Sequence, residues 1–111
     1  MFVEQWNLYN TGQEDGPEGI DINVKRAWET TKGGDVVVAV FDQGVDVNHL
    51  DLKDNIISAG YDATTNTYPS IITNRSAHGT CCAGIIAAVQ DNTEGISSIA
   101  PDPKYCLLAL L

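Results

Sequence analysis

Two side chains stand out as a pair able to do chemistry together. Asp42 follows an apolar run and precedes a turn, Gln43-Gly44. His78 opens a stretch rich in Ala and Ile, after a polar segment. A carboxylate beside an imidazole can form two-thirds of a nucleophilic triad. The imidazole takes a proton from a Ser or Cys, and the carboxylate fixes its tautomer and stabilises the imidazolium. Taken alone, the same two residues also suit a turn former and a structural histidine.

The elements that must position them read as follows. Val36 to Phe41 is an unbroken apolar run, the pattern of a strand covered on both faces in a parallel sheet. Asp42 therefore sits at a strand's carboxyl end, where open α/β sheets place their sites. Ile56 to Tyr61 reads as a second strand, and Tyr105 to Leu111 as another fully apolar one. His78-Gly79-Thr80 opens a helix running from Cys81 to about Gln90. A short helix is expected up to about Thr31, capped by Asp21 or Asn23. Residues 1–20 read as an extended arm and loop, and residues 62–77, with Pro69, as a polar loop. Residues 21–111 then form a partial α/β core. Two doubly covered strands need helices on both faces, and the chain offers one long helix and one or two short ones. The expectation is a truncated α/β domain.

Composition narrows the partners. The 111 residues carry 15 acidic and 6 basic side chains, a net charge of −9 with a pI near 4.3. That argues against nucleic acid, whose phosphates need clustered Lys and Arg. No apolar stretch approaches the ~18 residues of a membrane span. No signal peptide is visible at Met1 to Gln5. The three cysteines, Cys81, Cys82 and Cys106, read as buried thiols rather than a disulfide framework, although a bridge from Cys81 or Cys82 to Cys106 is open. Zinc at His78, Cys81 and Cys82 is disfavoured, because adjacent cysteines suit a tetrahedral site poorly and a fourth ligand is missing.

The segments around Asp42 and His78 carry a family resemblance. Val38-Ala39-Val40-Phe41-Asp42-Gln43-Gly44-Val45-Asp46, followed by His49-Leu50-Asp51-Leu52, resembles the aspartate motif of subtilisin-like serine proteases. His78-Gly79-Thr80-Cys81-Cys82-Ala83-Gly84 resembles their histidine motif, and Gly95-Ile96-Ser97-Ser98-Ile99-Ala100-Pro101 the segment after it. Gln5 to Gln13 and Ile22 to Trp28 are similar to the family's opening segments. The resemblance implies a three-layer α/β/α fold with a mostly parallel sheet, here incomplete. Residues 1–111 would be the N-terminal portion of the catalytic domain.

It further implies peptide-bond hydrolysis through an acyl-enzyme, with His78 as general base and then general acid, and Asp42 as its orienting partner. Peptide or protein would be the substrate, and a secreted or extracellular parent the setting. The family's nucleophilic Ser lies in a Gly-Thr-Ser-x-Ala motif that none of Ser58, Ser70, Ser76, Ser97 or Ser98 matches. The 111-residue chain alone is therefore expected to be inactive. The resemblance also implies a structural calcium ion, with side-chain oxygens from Asp51 and Asn92 and backbone carbonyls from Val89, Glu94 and Ile96. Gln43 departs from the Ser, Thr or Asp usual at its position, and Leu50 from the usual Pro. Two alternatives compete: a non-catalytic truncated relative, and a metal-dependent phosphatase-like enzyme using Asp42 as nucleophile and Asp46 as the next acid.

Overall fold

The computed structural model describes residues 2–68, 77–102 and 105–110, with only the backbone described at 58, 59 and 105–110. In chain order the elements are helix α1 (Val24–Trp28), strand β1 (Val37–Asp42), strand β2 (Ile56–Asp62), helix α2 (His78–Ala87) and strand β3 (Tyr105–Leu110). Single 3₁₀ turns lie at Phe2–Glu4 and Lys53–Asn55. No helix among the described residues is long and apolar enough to cross a membrane.

The three strands form one parallel sheet in the order β1-β3-β2. Strand β1 runs in even register with β3, from Val37 opposite Tyr105 to Asp42 opposite Leu110. Strand β2 joins the other side of β3, from Ile56 opposite Cys106 to Asp62 opposite Leu110, with two irregularities between. Parallel pairing aligns the strands' carboxyl ends, so Asp42 and Asp62 both lie at one end of the sheet. Beyond β2, Asp62 and Thr67 pair as a tight antiparallel turn, and the Asp62 carboxylate accepts the N–H groups of Thr64 and Thr65.

The core lies between β1 and α2. Val40, Val45, Leu52, Ala83, Ala87 and Ala88 form its buried cluster, with Val47, Ile56, Ile86 and Ile96 packed against it. Side chains alternate along a strand, so Val38, Val40 and Asp42 share the face toward α2. On α2 the small residues Ala83, Gly84 and Ala87 are buried, which lets the helix approach the sheet.

Among the described residues the sheet's other face is open. Val37, Ala39 and Phe41 are exposed, Phe41 by 65%. A run of apolar residues signals two faces able to be covered; within the described residues only one face of β1 receives a helix.

The helices are shorter than expected. Helix α2 ends at Ala87 because Ala88 turns extended (φ −60°, ψ 143°) while its N–H still reaches the Gly84 carbonyl. Helix α1 ends at Trp28, and its Asn23 takes a left-handed conformation without a side-chain cap. Asp21 serves the neighbourhood instead, accepting the N–H of Asn23 at 2.6 Å and that of Asn10 at 2.8 Å. Trp28 Nε1–H donates to the Ile99 carbonyl at 2.8 Å, which ties α1 to the segment after α2.

Residues 2–20 are folded into successive turns, not drawn out as an extended arm. Leu8 is fully buried. The Gln5 amide clamps the backbone of Ser97, donating Nε2–H to its carbonyl at 2.9 Å and accepting its N–H at 2.7 Å. Residues 69–76 of the loop expected at 62–77, and the side chain of Cys106 with any bridge to it, lie outside the described residues.

Candidate active site

The end of β1 and the start of α2 bring Asp42 and His78 together, 36 positions apart in the chain. Their approach needs a residue without a side chain at position 79. A Cβ there would stand 2.9 Å from Asp42 Cβ and would collide with the Gly44 carbonyl oxygen. Asp46 N–H donates to Thr80 Oγ1 at 3.0 Å, a second tie between the turn after β1 and the first turn of α2.

His78 Nδ1 lies 2.6 Å from Asp42 Oδ2. An ionised carboxylate only accepts, so Nδ1 carries the proton and Nε2 becomes the basic nitrogen. Asp42 Oδ1 accepts the N–H of Gln43 at 2.7 Å. That backbone hydrogen bond, then the one from His78, hold the Asp42 carboxyl below its ordinary value of 3.8; desolvation opposes them, while the His78 charge and the Gly79 N–H add to the lowering. The Asp42 side chain is 14% exposed and that of His78 is 72% exposed, so the orienting partner is shielded and the ring is reachable.

Cys82 joins the pair, with Sγ 3.8 Å from His78 Nδ1. Sequence reasoning did not place it there, although the i, i+4 spacing on one helix face was the available signal. Asp42, His78 and Cys82 each offer one donor atom within 4.8 Å of the others. The direct contact between Asp42 Oδ2 and His78 Nδ1 reads as an acid–base pair. Cys81 is exposed and stands apart from this group, and with Cys82 only half-buried neither is the fully buried thiol expected.

The two described serines near α2 lie at its far end. Ser98 Oγ–H donates to the Ala88 carbonyl at 2.8 Å. The ten residues of α2 separate that point from His78 by about 15 Å along the helix axis.

The residues named for calcium also converge. Asp51 is 3% exposed, and among the described residues no cationic side chain forms an ion pair with it. Its Oδ1 accepts Asn92 Nδ2–H and its Oδ2 accepts the Ile96 N–H, both at 2.8 Å. The Val89 N–H donates to the Asp51 carbonyl at 2.8 Å. Asn92 Oδ1 accepts the Glu94 N–H at 3.0 Å. The expected set therefore gathers at one place, but through protein hydrogen bonds: the Asn92 nitrogen, not its oxygen, faces Asp51. Gly95 permits the closure, because its φ is +47° and a Cβ there would lie 2.6 Å from Asp51 Cγ.

One feature of this loop suits a hard cation. A buried carboxylate without a cationic partner is costly unless its charge is met, and each Asp51 oxygen keeps a second lone pair. The Ser97 hydroxyl, in a residue 6% exposed, has no hydrogen-bond partner among the described residues. It borders a concavity of about 380 Å³ lined by Phe2 and residues 90–97.

Residues 33–108 match the model of the subtilase family of peptidases. The chain belongs to the subtilase family. Its relatives include neuroendocrine convertase 2 of Rattus norvegicus, 43% identical over 119 aligned residues, covering 100% of this chain and 18% of that protein. Neuroendocrine convertase 2 of Drosophila melanogaster is 40% identical, covering 99% and 18%. Among solved structures, the serine protease of Aeromonas sobria, determined in complex with the chaperone ORF2, superposes with a TM-score of 0.79 at 36% identity, covering 98% of this chain and 19% of that one. A protease of Pseudoalteromonas arctica gives a TM-score of 0.71 at 31% identity, covering 99% and 37%. This subtilase chain thus spans about a fifth of the length of these convertases. The family match and the contact between Asp42 and His78 leave the phosphatase-like alternative without support.

Proposed function

We propose that this chain supplies the Asp and His of a Ser-His-Asp triad in a subtilisin-like serine endopeptidase, and that the nucleophilic Ser lies outside residues 1–111. The hydrogen bond from His78 Nδ1 to Asp42 Oδ2 carries the reading. It fixes the tautomer in which Nε2 accepts a proton. His78 then takes the serine proton as the nucleophile attacks a peptide carbonyl, and returns it to the leaving amine. Asp42 holds the ring in place and stabilises the imidazolium. On this reading the complete fold is a three-layer α/β/α domain, and the open face of β1 around Phe41 is covered by further helices. The 111-residue chain alone does not cleave peptides. The whole protein acts on peptide or protein substrates, outside the cell or along the secretory path.

The same reading gives the loop at Asp51 a structural calcium ion. Asp51 would hold it through its carboxylate and Asn92 through Oδ1 once its amide turns over, with Val89, Glu94 and Ile96 offering carbonyls. Such an ion would supply charge neutralisation for Asp51 and rigidity to the loop.

A serine-directed phosphonate reagent, applied to the full-length protein, tests the assignment. The expected label falls on a serine beyond residue 111 and depends on an intact His78. A label on Ser97 or Ser98, or none in a preparation that cleaves peptides, would sink it.

A further inference from the structure

Cys81 and Cys82 lie side by side on α2 and have no part in the proposed acid–base chemistry. Both are free thiols. Cys81 is exposed; Cys82 is half-buried, packs against the core and lies 3.8 Å from His78 Nδ1. One thiol is thus open to solvent, and its neighbour touches the ring that the site depends on.

We propose that Cys81 and Cys82 form a redox modification site that takes a small disulfide of the glutathione class as oxidant. The Cys81 thiolate attacks the disulfide, forming a mixed disulfide and expelling one glutathione thiolate. The Cys82 thiolate then attacks the Cys81 sulfur, closing a bond between neighbours and expelling the second. Two electrons pass from the cysteines to the glutathione disulfide, and the two thiol protons end on the two glutathiones released.

Helix geometry makes the closed form a switch. Adjacent Cα atoms stand about 3.8 Å apart across a trans peptide, below the usual disulfide range of about 4.4–6.8 Å. The intervening peptide must therefore leave its helical conformation. That peptide carries the Cys82 N–H, whose α-helical partner is the carbonyl of His78 itself, in the first turn of α2. Loss of that turn draws His78 away from Asp42. A bond under such strain is readily reduced, so the change reverses. The chemistry stands on the two thiols alone; its effect on activity rests on the triad assignment above.

Full-length protein is equilibrated over a series of glutathione redox ratios and read by intact mass, peptide mapping and peptide hydrolysis. The expected oxidised form is about 2 Da lighter, with the bond mapped between Cys81 and Cys82. Hydrolysis falls by about a hundredfold and returns with dithiothreitol. Cys81→Ser keeps its activity at every ratio, which separates a switch from general oxidative damage. Three results overturn the proposal: a mixed disulfide that persists at about 305 Da above the reduced mass, a bond to Cys106, or a Cys81–Cys82 bond that leaves hydrolysis unchanged. Mass and mapping decide the modification even in a preparation without peptidase activity.

Discussion

Gly79 and Asp42 are fitted to each other. A Cβ at position 79 would reach within 2.9 Å of Asp42 Cβ and would overlap the Gly44 carbonyl oxygen. The approach of α2 to the end of β1, and with it the hydrogen bond from His78 to Asp42, depends on that missing atom.

Gly79→Ala follows directly. Alanine favours a helix over glycine by roughly 0.5–1 kcal/mol, whereas overpacking against backbone costs about 1–3 kcal/mol. The clash wins, because a backbone carbonyl cannot swing aside as a long side chain can. Chemical denaturation of the full-length protein should show a net loss of stability together with impaired hydrolysis. Equal or greater stability would mean that the helix and strand are not held so closely.

Asp42→Asn should leave the fold largely intact and reduce kcat by about 10⁴-fold, because an amide no longer enforces the Nδ1–H tautomer. The pH dependence has a definite sign. The folded carboxyl is held below its ordinary 3.8, so its contribution to stability is present above that value and is lost as the pH falls through the lower folded one. Acid titration of the wild type and Asp42→Asn should show stability curves converging below pH 3.8. Convergence at neutral pH instead would contradict the assigned cause.

Asp51→Ala removes the acceptor for Asn92 Nδ2–H and the Ile96 N–H. Both donors are part-buried, so each left unpaired costs up to the roughly 1–3 kcal/mol of a buried one. The expected outcome is a drop in stability and faster backbone hydrogen exchange across residues 89–97. Unchanged exchange there would show that Asp51 does not organise the loop.

Calcium should raise the stability of the full-length protein by about 2.7 kcal/mol at a concentration one hundred times its dissociation constant. Chelation should reverse the gain, and Asp51→Asn should weaken it. A titration calorimeter that registers no heat, with no shift in melting temperature, would remove the calcium assignment.

The pair at the site was legible because its two signals are local. An apolar run ending in Asp42 marks a strand terminus, and His78-Gly79-Thr80 before small apolar residues marks a helix start. Both readings survive in β1 and α2. Partnerships between distant residues left no local trace. Gln5 clamps Ser97 across 92 positions, and nothing in the N-terminal turns signals it. The exposed Phe41 has a related reason: an apolar run records which faces can be covered, not which helix covers them. Asp51 was named through the family's pattern, but its bond to the Asn92 nitrogen could only come from the folded loop.

The most direct measurement is the peptide hydrolysis rate of the full-length protein and of His78→Ala, with both confirmed as folded by circular dichroism. The account predicts a fall in kcat of about 10⁶-fold, since removing one member of a triad disables the unit. Comparable rates in the two proteins would contradict it, because the basic nitrogen that Asp42 orients would then take no part in the reaction.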